Sequence, residues 1–181
     1  MLELLRTRRS IRQFEQRAIP PEMVEQLVEA ILRSPSSRGR NPWRIILVDE
    51  RQMLENLSQC KTTGAQFLAG AALGIVVLGD EPVTDVWVED CSIASAVAHF
   101  AAHSMGLGSC WIQVRNRLQT DGSPAEEYVK AALDVPEQFR VETIIAVGWP
   151  SASPPAHAST TLQRDKVFTG TFGAPFFRDG P

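Results

Sequence analysis

The densest group of chemically useful side chains lies near the start of the chain, where Arg8, Arg9, Ser10 and Arg12 fall within five positions. Arginine presents a planar fork of N–H donors that matches phosphate and other oxyanions, and a serine hydroxyl adds a further donor. A solvated basic turn is the plain alternative, because Arg6 and Arg17 lie nearby and arginines usually face water. The 181 residues carry a net charge of −3, so the overall charge does not indicate a nucleic-acid partner, and a local cluster of cations suits a small anion. Two other stretches carry polar or unusual chemistry. One is the loop Pro35-Ser36-Ser37-Arg38-Gly39-Arg40-Asn41-Pro42, and the other is Gly106-Leu107-Gly108-Ser109-Cys110-Trp111-Ile112-Gln113.

Other groups point less far. His99 and His103 have a spacing that can bind a metal, but no third ligand and no HExxH accompany them. Cys60, Cys91 and Cys110 are odd in number and widely spaced, which fits free thiols in a reducing compartment rather than a disulfide framework. Cys110 lacks a neighbouring base and reads as a buried thiol. Asp90, at the start of a long helical stretch, reads as a partner for that helix's N-terminal dipole. No GxGxxG and no GxxxxGK[ST] occurs, so neither a dinucleotide fold nor a P-loop is indicated. No apolar run approaches the roughly 18–20 residues of a membrane span, and the N-terminus shows no signal-peptide core, so a cytoplasmic location is expected.

The elements that must position these groups are legible from periodicity. Residues 2–7 read as a short helix. Val24, Leu27, Val28 and Ile31 stand at i, i+3, i+4 and i+7, which predicts an amphipathic helix over 22–33. Ile45 to Val48, Leu73 to Leu78, Ser109 to Val114 and Val141 to Val147 read as buried strands, and 50–59 as a helix. The longest helix is expected over 89–105. Its small residues (Ala94, Val97, Ala98, Ala101) suit a central helix or one lying against a partner. Ser123-Pro124-Ala125-Glu126 reads as a helix start with Ser123 as N-cap. A Ser/Pro/Ala-rich connector then leads to a tail with Val167, Phe168, Phe172, Phe176 and Phe177, which is expected to bury itself on its own body or on a neighbour. The expected fold is α+β, with a mixed central sheet covered by helices on both faces. A single domain spans 1–181, and 150–181 form an extended C-terminal arm.

In this order and at these separations, RRSIRQF, SPSSRGRNPW and GLGSCWIQ, with the late GWP and the closing DKVFTGTFG, resemble the nitroreductase family of FMN-dependent oxidoreductases across nearly the whole chain. The resemblance implies that Arg8 and Ser10 hold the phosphate and ribityl chain of FMN, with Arg9 assisting, and that Arg12 sits near N1 and O2 of the flavin. It implies that Pro35, Ser36, Ser37, Arg38 and Asn41 reach the flavin from the other subunit. Trp111, Ile112, Gln113 and Val114 would lie along one flavin face, offering a backbone N–H near N5. The family's Lys-x-Arg pair before the C-terminal segment is replaced by Ala158-Ser159-Thr160, leaving Arg164 or Lys166 as substitutes.

On the same ground the chain is expected to be a homodimer with FMN at the interface and exchanged C-terminal tails. It is expected to take hydride from NAD(P)H through flavin N5, in ping-pong fashion, for a small flat acceptor such as a nitroaromatic or quinone. No side chain is assigned a catalytic role, since the cofactor carries the chemistry. Two alternatives stay open: the same fold using FMN for dehalogenation or flavin breakdown, or a flavin-binding module without turnover.

Overall fold

The computed structural model describes residues 1–177. A short helix, α1 (Leu2–Thr7), leads into an extended segment and then α2 (Pro21–Leu32), with proline in its first turn. Next come β1 (Trp43–Val48), α3 (Arg51–Leu57), β2 (Leu73–Asp80) and the long α4 (Trp87–Ser104). The chain continues through β3 (Gly108–Gln113), α5 (Ala125–Ala132) and β4 (Phe139–Gly148). The strands form one sheet in the order β1-β2-β4-β3.

All three pairings between these strands are antiparallel. The parallel component expected of a mixed sheet is confined to a single bridge between Ser10 and Ser109. The α+β class and the helices on both faces hold. One face carries Leu54, Leu57 and Val129 of α3 and α5, packed on Val76, Leu78, Ile112 and Ile144. The other carries Leu27 and Ile31 of α2 and Ala94, Ala98 and Ala102 of α4, packed on Ile75, Val77, Ile145 and Val147. Alternate residues of β2 thus enter opposite cores, which is why that strand reads as an unbroken apolar run.

The small residues Ala94, Ala98 and Ala102 are wholly buried in the chain's own core, so they let α4 approach the sheet as a central helix does, while Val97 and Ala101 are half-buried. One local reading changes. Ser123 does not cap α5: its hydroxyl and N–H both turn back to Asp121 Oδ1, at 2.7 and 2.9 Å. The helix begins one residue later than expected, with Pro124 in the cap position, because an Asp two residues upstream competes for the same serine.

The tail does not bury itself on its own body. Over residues 151–177 it is exposed apart from Phe168 and Ala174, and its aromatic contacts there are internal, Phe168 with Phe172 and Phe176 with Phe177. Residues 178–181 of the expected arm lie outside the described residues. Among the described residues, no helix is long and apolar enough to cross a membrane.

Candidate cofactor site

The extended segment after α1 lies against the outer edge of β3. Ile11 N–H donates to the Ser109 carbonyl at 2.9 Å, and farther along Glu15 N–H donates to the Trp149 carbonyl at 2.8 Å. Two glycines permit this approach. A Cβ on Gly108 would stand 2.7 Å from Ile11 Cγ2, and one on Gly148 would stand 2.9 Å from Phe14 Cδ1. The glycines of GLGS and GWP are therefore the seat of the N-terminal segment.

Strand alternation divides the arginine cluster. Ile11 points into the core. Arg9, on the same side, donates to the Pro155 carbonyl and helps line a cavity of about 240 Å³ with Thr7, His103 and Ser153. Arg8, Ser10 and Arg12 take the other side, around Cys110. Burial pushes that thiol's pKa up, against the pull of Arg12, the Ser10 hydroxyl, Arg8 and Lys61. Lys61 was not singled out from the sequence; it comes from the connection after α3 and carries no motif. Burial lowers its ammonium pKa from the ordinary value. Among the described residues Arg8, Arg12 and Lys61 take part in no salt bridge. Three cations with no carboxylate between them leave an unbalanced positive field at the sheet edge. Arg12 also stands 5.7 Å from the centre of the Phe67 ring.

Beyond Ser10 the outer edge of β3 pairs with no strand among the described residues. Since the Ser109 carbonyl faces outward and Val114 N–H bonds inward to Glu142 O, alternation turns the main-chain donors of Trp111 and Gln113 outward and those of Ile112 and Val114 toward β4. The side chains of Ile112 and Val114 are fully buried. Of the four residues predicted here, Trp111 and Gln113 therefore turn their N–H groups away from the sheet, while Ile112 and Val114 turn theirs toward β4. Trp111 Nε1–H donates to Gln113 Oε1 at 2.9 Å, and its ring lies parallel to His99 at 6.3 Å.

The two histidines are spent on structure. His99 Nδ1 meets Ser109 Oγ at 2.7 Å, and burial, with Arg8 nearby, pushes its pKa down to about 4. His103 Nε2 meets Thr7 Oγ1 at 2.9 Å. That hydroxyl already donates to the Glu3 carbonyl, so the imidazole is the donor.

The loop of residues 35–41 sits elsewhere. Ser36 Oγ donates to Asn41 Oδ1 and accepts from Asn41 N–H, so the side chains of Ser36 and Asn41 close the loop on itself. Arg38 and Asn41 adopt left-handed φ values of 54° and 47°, and Pro35 and Arg38 are exposed. Ser37 N–H donates to Asp90 near the start of α4, whereas Arg8 acts on His99, nine residues farther along the same helix. Thr7, next to Arg8, meets His103, thirteen residues beyond Asp90, which at 1.5 Å per residue is about 20 Å along the helix. One chain does not bring the loop to the arginines. Arg164 stacks on Phe177 within the arm, so in this chain it is not at the arginine face either.

The donor set fits FMN. Uncompensated cations suit a phosphate and an electron-rich ring, and outward main-chain donors are set before anything binds. Similarity to known proteins points the same way. The nitroreductase family model matches residues 5–66 and 51–149. An FMN-dependent nitroreductase from Clostridium difficile superposes with a TM-score of 0.93 at 41% identity, over 95% of this chain and 100% of that one. Two archaeal relatives carry the provisional name NADH dehydrogenase/NAD(P)H nitroreductase. The one from Archaeoglobus fulgidus is 36% identical over 82% of this chain and 84% of its own length. The one from Methanothermobacter thermautotrophicus is 34% identical over 85% and 79%. The chain belongs to the nitroreductase family of oxidoreductases.

Proposed function

We propose that the chain is an FMN-dependent NAD(P)H oxidoreductase. It forms a single domain that works as a homodimer and serves a flat acceptor, such as a nitroaromatic or a quinone, in turn with the nicotinamide. The observation that carries this reading is the convergence of Arg8, Ser10, Arg12 and Lys61 beside the outer edge of β3. Bound there, FMN supplies hydride transfer in both directions. The protein's own contribution is placement. Arg8 and Ser10 bind the polar chain of the cofactor, and Arg12 and Lys61 hold positive charge where negative charge develops. The outward N–H groups of Trp111 and Gln113 orient the ring edge.

The loop carrying Pro35, Ser36, Ser37, Arg38 and Asn41 completes the site of a second copy. Two features support this: its distance from the arginines of its own chain, and the exposed phenylalanines of the arm, which call for a cover.

The test is a visible absorption spectrum of the purified protein, then anaerobic addition of NADH and of NADPH. A flavin band that bleaches is expected, and the faster donor names the preferred nicotinamide. The Arg12→Ala variant should weaken FMN binding by roughly 10- to 100-fold, the scale of one lost charge-assisted contact. No flavin band, even after FMN is added, would return the arginine cluster to a solvated turn. A flavin band that neither donor bleaches would leave a binding module.

A further inference from the structure

Asp90 lies in the first turn of α4 and is 2% exposed. Its carboxylate does not cap its own helix. Oδ1 accepts the Ser37 N–H at 2.8 Å, 53 residues away in sequence, while Oδ2 is buried with no hydrogen-bond partner among the described residues. A carboxylate out of water with half of its acceptors unused is a poor choice for stability. What it does accomplish is local. The loop it holds contains left-handed Arg38 and Asn41 beside Gly39, and for a residue other than glycine that conformation is held by its surroundings. Its other hydrogen bonds are mostly internal, Ser36 with Asn41, Gly39 with Ser36, and Arg40 N–H with Ser37. Among the described residues, Asp90 and the Val83 carbonyl, which accepts from Arg40 Nη1 at 2.9 Å, tie residues 36–41 to the rest of the fold.

We propose that Asp90 is a positioning residue for the cofactor site: its carboxylate holds the Ser37 main chain, and with it the 36–41 loop, in the form that the FMN of a second copy meets. This rests on the reading of the loop given above. Asp90 touches neither cofactor nor substrate, and it acts through one backbone donor. An asparagine there keeps the acceptor and removes the buried charge; an alanine removes both. The donor can also be deleted from the other side. Ser36 is extended, at φ −140° and ψ 159°, the conformation required before proline. Ser37→Pro removes the N–H and the Ser37 hydroxyl together and sets a ring carbon against Asp90 Oδ1, so it is read chiefly in the Asp90→Ala background, where that carboxylate is gone.

The experiment titrates FMN-stripped protein with FMN and follows flavin fluorescence, for the wild type, Asp90→Asn, Asp90→Ala, Ser37→Pro and the Asp90→Ala/Ser37→Pro double variant. Thermal melts run in parallel. Asp90→Ala and Ser37→Pro should each weaken binding about tenfold. Asp90→Asn should stay within about threefold of the wild type with no lower melting temperature. The double variant should be no weaker than the weaker single variant, because both changes break the same bond.

Wild-type affinity in Asp90→Ala would overturn the proposal. So would an Asp90→Asn as weak as Asp90→Ala, or additive losses in the double variant. If Asp90→Ala does not fold, Asp90→Asn decides, and a loss beyond about threefold at an unchanged melting temperature overturns the proposal. A wild type that binds no FMN would remove the functional reading and this inference together, whereas a wild type that binds with an indifferent Asp90→Ala would remove this inference alone.

Discussion

Two extended segments leave the sheet, and they end in opposite states. The N-terminal segment of residues 8–15 is seated within its own chain: Ile11 and Phe14 are buried, two glycines make room for them, and main-chain bonds run to Ser109 and Trp149. The C-terminal arm has a larger apolar content and almost no seat. Phe172 is 92% exposed, Phe176 58% and Phe177 43%, and past the contact of Arg9 with Pro155 the arm packs on itself. Apolar surface of that size is costly in water. The seam is finished by one chain, while the arm calls for another. The cofactor site proposed above divides along the same line, with the arginine face on the seated segment and the 36–41 loop out of its reach.

The largest effect should follow from attacking the arm. Phe172→Asp with Phe176→Asp should convert a dimer to a monomer in light-scattering chromatography and abolish retention of FMN through purification. The isolated fold should melt within a few degrees of the wild type. If the double variant stays dimeric, the contrast between the two segments loses its functional meaning.

Next in size is a pH effect at the seam, where His99 meets Ser109. Its folded pKa of about 4 lies below the ordinary 6.5. Between these values the unfolded chain takes up a proton that the folded chain does not, so stability falls as pH drops through 6.5. The loss approaches about 3 kcal/mol near pH 4, at 1.36 kcal/mol per pKa unit. Glu142, whose pKa burial pushes up, acts in the opposite direction. The informative quantity is therefore the difference between wild type and His99→Gln in urea unfolding at pH 7 and pH 5, and the His99→Gln variant should lose the smaller share. Equal losses would mean that His99 is not held neutral by the fold.

The smallest of the three concerns the seat itself. Gly108→Ala places a methyl group 2.7 Å from Ile11, and overpacking of this kind costs about 2 kcal/mol. A matching fall in melting temperature, with FMN affinity falling alongside, would tie the seam to the site. An unchanged melting temperature would show that Ile11 can move aside.

Much of the fold was legible in the sequence because the signals are short-range. The period of Val24, Leu27, Val28 and Ile31, and the apolar run of β2, each report one element and its burial. That Arg8, Ser10 and Arg12 lie close together was legible for the same reason, since alternate residues of one extended segment share a side. What failed to show is long-range or competitive. Ser123 turned to Asp121 instead of capping α5. The sequence left the small face of α4 open between the core and a partner, and only the sheet, assembled from distant strands, decided for the core at Ala94, Ala98 and Ala102. Lys61 carries no motif and joins the site only through the path of a loop.

The sequence by itself determined which residues could bind an anion and which stretches would be helix or strand, because those properties belong to a few neighbouring side chains. Only the tertiary structure decided that Arg9 parts from Arg8, Ser10 and Arg12, that Trp111 and Gln113 rather than Ile112 and Val114 turn their N–H groups away from the sheet, and that Asp90 holds the main chain of Ser37. Each of these depends on which strand or helix comes to lie alongside, and that is set by packing across the whole sheet.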